Sequence, residues 1–361
     1  MQLLTPPEDH LPRPLSADVA AIPTDEPEGV SDLTLLLSDD DVRQVCNIAA
    51  MVTALEHGLR EEAKGPGSKL PERMNLNYGD NFLRLMPAML PELGMMGLKF
   101  FHGSLRGGVR YVVAACGLEN GEIYSLVDAA YLTAARTGAT SGLATKLLSR
   151  ADSSSVGLIG SGLEADTNLR AVCAVRDVTR VKVFSRSPER RRAFAERMSA
   201  ALKIQVVPVE TPQEACSGTD IVIVATNTGL NGPVAYKGEW LEPGQHVVAI
   251  GSTAPNLREI DEQTFLRADL VVFDVDASQV GCESGDVAAL LKAHPDWSAA
   301  IPLGQVLTGQ AAARTDPGKV TLFKSVGSAA QDLIAAMHVA AAAEEQGIGT
   351  RVADIATPKS F

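Results

Sequence analysis

The sequence predicts an α/β protein in which a doubly wound parallel sheet follows a region of antiparallel or mixed strands. Three observations carry this. Residues 153–192 read as strand, glycine turn, helix and second strand in register. After Arg192 short apolar runs alternate with helical or polar segments. Between residues 73 and 127 short strands instead follow one another with only turns between them, which is not a βαβ series.

Residues 33–37 form the first apolar strand pattern. Ser38-Asp39-Asp40-Asp41 then opens a helix, with a hydroxyl to cap it and carboxylates at the positive end of its dipole. A second helical pattern over 48–63 stops at Gly65-Pro66-Gly67. Strands are expected at 82–86, 97–101, 109–115 and 122–126, with His102-Gly103 and Glu119-Asn120-Gly121 as turns. An Ala-rich helix over 129–148 leads into the strand at 156–159. Further strands are expected at 181–184, 204–207, 221–225, 246–250, 270–273 and 320–323, with a short helix at 212–215. A closing helix over 326–345 ends at Gly347, and its small residues suit close packing on the first region or in a subunit contact.

The turn after the strand at 156–159 is Gly160-Ser161-Gly162-Leu163-Glu164-Ala165. Gly160 permits the tight exit, Gly162 lets backbone approach a pyrophosphate, and Ala165 is small enough for helix to pack on sheet. Free N–H groups at the helix start suit phosphate. This Rossmann fingerprint implies a nicotinamide dinucleotide. Where an NAD site carries an acidic residue at the end of the second strand, this chain has Ser185-Arg186-Ser187 with Arg190 close behind. A guanidinium and two hydroxyls suit a 2′-phosphate, so NADP(H) is preferred and NAD(H) remains an option. Arg191 and Arg192 also read as a solvated helix face. Ala225-Thr226-Asn227 and Gly251-Ser252-Thr253 follow the carboxyl ends of later strands, where the nicotinamide half belongs.

Composition sets outer limits. The chain has 361 residues, 45% of them hydrophobic, enough for two domains with real cores. No apolar run is long enough to span a membrane. A net charge of −12 without a basic stripe argues against a nucleic-acid partner. Five scattered cysteines without a CxxC pair suggest reduced thiols of a cytoplasmic protein and no metal centre. Residues 1–30, rich in Pro and acidic side chains, read as a poorly ordered extension or an arm on a partner subunit.

Several stretches taken together resemble the ornithine cyclodeaminase/μ-crystallin family: Pro71-Glu72-Arg73, Leu85-Met86-Pro87-Ala88, Gly97-Leu98-Lys99, Arg136-Thr137-Gly138-Ala139-Thr140-Ser141, the Gly160 turn, Ala249-Ile250-Gly251-Ser252 and Phe323-Lys324-Ser325-Val326-Gly327. The resemblance implies a homodimer whose substrate/dimerisation domain is split (31–135 and 319–350) around a Rossmann domain (136–318). It further implies that Arg73, Lys99 and Arg136 bind a substrate α-carboxylate, with Thr137, Ser325, Val326 and Gly327 bordering the cofactor. Forked guanidinium bonds suit that anion. Each cation also has a plain structural reading. Arg73 can be a surface strand end and Arg136 can pair with a carboxylate, whereas Lys99 among large apolar residues requires a partner.

The departures narrow the chemistry. Ornithine cyclodeaminases carry Glu before the Leu-Met-Pro piece and Asp in the loop after the fifth strand; this chain has Arg84 and Thr253. Neither is a base near neutral pH, which disfavours cyclodeamination. Arg84 suits a second carboxylate on the substrate, or it points away into an ion pair. The expected activity is reduction of an α-imino acid, a ketimine or an iminosuccinate-like compound, or the reverse amino-acid dehydrogenation. Lys99 or a water is the expected acid, and His102 is a second candidate. The alternatives are a cyclodeaminase or condensing enzyme of the same family, or a cofactor-bound ligand-binding protein.

Overall fold

The computed structural model describes residues 33–104, 107–353 and 355–359. The acidic extension over 1–30 falls outside them. In chain order the elements begin β1 (Leu33–Leu37), α1 (Asp39–Val45), α2 (Ile48–Lys64), β2 (Met74–Tyr78), β3 (Asn81–Leu90), β4 (Met95–Ser104), β5 (Gly108–Gly117), β6 (Ile123–Asp128) and α3 (Ala130–Leu148). They continue with β7 (Ser155–Ile159), α4 (Leu163–Val175), β8 (Arg180–Phe184), α5 (Pro188–Leu202), β9 (Gln205–Pro208), α6 (Pro212–Cys216), β10 (Ile221–Val224) and β11 (His246–Ala249). The last are α7 (Glu262–Arg267), β12 (Leu270–Phe273), α8 (Ala277–Glu283), α9 (Gly285–Ala293), β13 (Ala300–Pro302), α10 (Leu303–Leu307), β14 (Thr321–Lys324), α11 (Ala329–Gln346) and β15 (Thr350–Ala353).

Two sheets result. The first, in order β15-β1-β6-β5-β4-β3-β2, is antiparallel except where β1 runs parallel to β6. The second, β13-β12-β14-β11-β10-β7-β8-β9, is parallel throughout. Every residue of β7, β10 and β11 is buried, as expected for strands covered on both faces. β7 pairs with β8 on one side and β10 on the other, so the chain order reverses there and opens the crevice that begins at Gly160.

Local chemistry explains the boundaries. Ser38 and Asp41 close a capping box at the start of α1. α3 buries most of its length because Ala, Gly, Ser and Thr dominate it. A Cβ at Gly138 would lie 2.6 Å from the backbone of Thr167, so α3 touches α4 almost backbone to backbone. That contact sets Arg136 and Thr137 beside the cofactor turn.

The structure departs from the sequence reading in several places. His102-Gly103 is not a turn but lies inside β4, which runs on to Ser104 against β3 and β5. The closing helix starts at Ala329, because Ser328 caps it. β14 lies in the middle of the parallel sheet, between β11 and β12, whereas 319–350 was expected to join the first region as a block. β15, which lacks any strong strand pattern, pairs with β1.

Register decides which side chains share a face. Met86 lies opposite Lys99, Arg84 opposite Phe101, Lys99 opposite Val113 and Phe101 opposite Tyr111, and directly opposed residues point the same way. α11 packs on that face: a Cβ at Gly97 would meet Leu333 at 2.8 Å. On the other face of β2 and β3 Met74, Leu76, Tyr78 and Met89 are exposed.

Candidate active site

The cofactor turn behaves as its glycines require. Gly160 has φ +132°, and a Cβ there would sit 2.1 Å from the carbonyl oxygen of Ala225, so the position admits glycine alone. A Cβ at Gly162 would meet nothing within 4 Å, and no side chain caps α4. The helix therefore presents uncapped N–H groups to open space, a fit for a pyrophosphate. Leu163 is exposed at this lip. Beyond β8, Arg186 is exposed and its Nη2 donates to the carbonyl of Asn227 at 3.0 Å, which spans the crevice rim from β8 to the loop after β10. Ser187 caps α5 by accepting the Arg190 N–H, and Ser185 donates to the Ser187 carbonyl at 3.3 Å. Arg190 is exposed. Arg191 is not part of a solvated face: it is buried, stacks over Phe184 and pairs with Glu210.

The loops after β10 and β11 are fastened from below. The Glu259 carboxylate accepts from the N–H and hydroxyl of Thr226 and from the N–H of Gly251. Burial pushes Glu259 up to about 7. The side chain of Ser252 is taken up inside the fold: it is fully buried and its hydroxyl donates to the Leu257 carbonyl at 2.5 Å. Asn227 accepts from Gly229 N–H, while Thr253 faces a cavity described below. After β14, Asp274 accepts from the Ser325 hydroxyl and from the N–H groups of Val326 and Gly327. The carbonyls of those two residues accept from Arg73 Nη2, so the loop joins Asp274 to Arg73. Gly327 sits at φ +81°, and a Cβ there would come 2.6 Å from Arg136 Nη1.

The four cations meet on one side of the first sheet. Lys99 Nζ lies 3.0 Å from Asp332 Oδ1 and Arg136 Nε 2.8 Å from the same oxygen, all three nearly excluded from solvent. Arg136 also donates to Gln331 Oε1 at 3.0 Å. Arg73 Nε is 2.8 Å from Glu283 Oε2, an ion pair without hydrogen-bond alignment. Burial lowers Lys99 to about 8 although Asp332 opposes the shift. Burial alone would raise Asp332, but Arg136 and Lys99 outweigh it and hold the carboxylate below its ordinary range. Asp332 is thus the partner that a lysine amid Leu98, Phe100 and Phe101 requires. It stands on α11, far along the chain, and nothing near Lys99 or Arg136 signals it. Glu283 and Asp274 escaped sequence reasoning for the same reason.

A cavity of about 260 Å³ opens beside this cluster, lined by Arg73, Arg84, Asn75, Asn77, Thr253 and Glu283 among others. Lys99 and Arg136 lie outside its lining, held by Asp332. Register settles the direction of Arg84, which shares the Lys99 face. It leans over Phe82 and Phe101, 5.4 and 5.6 Å from the ring centroids, and makes no ion pair among the described residues. Its Nε is buried without a hydrogen-bond partner. His102 takes the opposite face, stacked on Phe100, and is removed from the acid candidates. Among the described residues no group of three His, Cys, Asp or Glu side chains is placed to hold a metal ion. None of their helices is long and apolar enough to cross a membrane.

Fold and site together define a class: an α/β protein with a dinucleotide-type glycine turn and a cationic cleft. The family model described as "Ornithine cyclodeaminase/mu-crystallin family" matches residues 33–347, and the chain belongs to that family. It is 30% identical over 328 residues to a delta(1)-pyrroline-2-carboxylate reductase of Bacillus cereus, covering 88% of this chain and 99% of the relative. The Thermococcus litoralis delta(1)-pyrroline-2-carboxylate reductase, solved with NADH and L-proline, superposes with a TM-score of 0.81 at 31% identity, over 88% of this chain and all of that one. An archaeal alanine dehydrogenase dimer with bound NAD gives 0.80 at 29% identity, over 89% of this chain and 99% of the other. These relatives are NAD(P)-dependent oxidoreductases acting on CH–NH or CH–NH2, and that enzyme class is the one this chain joins.

Proposed function

We propose that the protein reduces an α-imino acid to an L-amino acid with NADP(H), or runs the reverse oxidation. The observation that carries this reading is the gathering of Arg73, Arg84 and Lys99 on one side of the first sheet, with Arg136 of α3 joined to Lys99 through Asp332. When bound, the reduced nicotinamide supplies a hydride. The chain supplies the positive field that draws an anionic substrate, and side chains fixed by Asp332, Glu283 and the 325–327 loop that hold it in one orientation. Relatives that act on a cyclic imino acid and bind L-proline support the substrate class.

Arg84 refines that class. A cation without a carboxylate partner, in the same cavity as Arg73, suits a substrate with two carboxylates such as an iminosuccinate-like compound. Arg186, flanked by Ser185 and Ser187, supports a preference for the 2′-phosphate of NADP(H). The exposed apolar face carrying Met74, Leu76, Tyr78 and Met89 suits a second copy of the chain, a homodimer like the alanine dehydrogenase relative. Five unpaired cysteines favour a reducing, cytoplasmic setting.

The test is loss of reduced-nicotinamide absorbance with NADPH and NADH, offered a cyclic ketimine, pyruvate with ammonia or methylamine, and oxaloacetate with ammonia. Turnover with at least one imine is expected, fastest with NADPH. No turnover with any imine despite cofactor binding would sink the reading in favour of a condensing or binding protein. Arg186→Asp is expected to move preference toward NADH by tenfold or more.

A further inference from the structure

The reduction of a neutral imine needs a proton at nitrogen as well as a hydride at carbon, and the sequence reading gave that proton to Lys99 or water. The structure commits Lys99 otherwise: its ammonium is sealed against Asp332. Glu164 offers a different arrangement. It is the second residue of α4, within the last part of the Gly160 turn. Its carboxyl makes no hydrogen bond and no ion pair among the described residues; the residue is half-buried, and its Oε2 is the oxygen shut off from solvent. Leaving such an oxygen without a partner is costly, and a purely structural glutamate would be expected to find one. Arg136 of α3, the helix packed on α4, acts on it electrostatically, as do Lys99 of β4 and Tyr111 of β5. Those cations lie beyond ion-pair distance of it and are held by Asp332 instead. On its own helix the nearby acid, Asp166, is turned to Arg170 and Arg197.

Resting on the imine-reductase reading above, we propose that Glu164 holds the proton and delivers it to the substrate nitrogen. As the hydride reaches carbon, the C=N π electrons move to nitrogen and take the proton from the Glu164 carboxyl. The residue is left as a carboxylate stabilised by Arg136 and Lys99, and regains a proton from solvent. The overall balance is imine, reduced cofactor and one proton to amine and oxidised cofactor. Burial, opposed by Arg136 and Lys99, lifts Glu164 to about 7, so the group is protonated below neutrality and is matched to working near it. Reduction is then expected to slow as pH rises through about 7, and the reverse oxidation to quicken.

The experiment pairs two readouts on wild type and Glu164→Gln. In the first, carbonyl-13C titration of glutamate-labelled protein is expected to show one resonance, absent from the variant, that titrates near 7. A missing resonance that titrates near the ordinary carboxylate value overturns the proposal whatever the enzyme's substrate proves to be. In the second, the kcat of imine reduction is expected to fall about 100-fold or more in Glu164→Gln, with loss of the limb near neutral pH. NADPH affinity by fluorescence is expected to change little, and the variant is expected to unfold no more readily than wild type. An unaltered kcat and pH profile, or a loss accounted for by weakened NADPH binding, overturns it. Wild type that turns over no imine removes the proposal together with the functional reading, while the carbon titration still reports on the carboxyl itself.

Discussion

The cofactor turn at 160–165 is built from consecutive residues, whereas the cation cluster draws Arg73, Lys99, Arg136, Glu283 and Asp332 from five separate parts of the chain. In the turn, each requirement is met by a residue's own backbone freedom or size: glycine where a Cβ would strike Ala225, glycine where space must stay open, alanine where helix meets sheet. In the cluster no residue is competent alone. A buried lysine is stable only because a carboxylate arrives from α11, and that carboxylate keeps its charge only because two cations flank it. A motif of the first kind is tolerant of its surroundings; one of the second kind fails as a unit.

Four substitutions and one control at an exposed pair break or sharpen this contrast. Asp332→Asn leaves two buried cations without a counter-charge and is expected to cost about 3–5 kcal/mol, read by denaturant unfolding. The same change at an exposed pair, such as Glu344→Gln beside Arg351, is expected to be nearly silent. Gly160→Ala forces a Cβ against the Ala225 carbonyl at positive φ. It is expected to cost about 1–3 kcal/mol from strain and to weaken NADPH binding measured by fluorescence. It should leave the cluster's unfolding contribution in place.

The third concerns protons. Glu164 sits at about 7 in the folded protein against 4.5 ordinarily, so the folded state binds the extra proton between those values. Its contribution to stability is complete below about 4.5, declines as pH rises through that window and is gone above about 7. Glu164→Gln removes this decline and is expected to leave the ligand-free protein more stable than wild type at pH above neutrality, by at most about 3 kcal/mol. A similar slope from Glu259 remains. The smallest effect is at the cavity rim. Arg84→Ala is expected to raise KM about tenfold for dicarboxylic imines while sparing monocarboxylic ones; equal effects on both would remove the second-carboxylate role.

How far the site was legible follows the same division. The Gly160 turn, the carboxyl-end loops and the family resemblance that singled out Arg73, Lys99 and Arg136 all rest on short contiguous patterns. Arg84 could be found as a departure but not aimed, because alternation over 82–86 allows either face; only pairing with Phe101 across to β4 fixes it. His102 looked like a turn residue because Gly103 follows it, yet two flanking strands extend β4 through it. Ser252 read as a cofactor contact from its place after β11, but a buried hydroxyl takes its nearest acceptor, here the Leu257 carbonyl.

The sequence by itself determined the two kinds of sheet, the presence of the long helices and the glycine turn, because periodicity, capping residues and glycine act over a few residues. Tertiary structure alone decided the counter-charges Asp332 and Glu283, the aim of Arg84 and the unpartnered state of Glu164. Those depend on which distant side chains share a low-dielectric space, and the energy of a buried charge is set by its neighbours in space rather than along the chain.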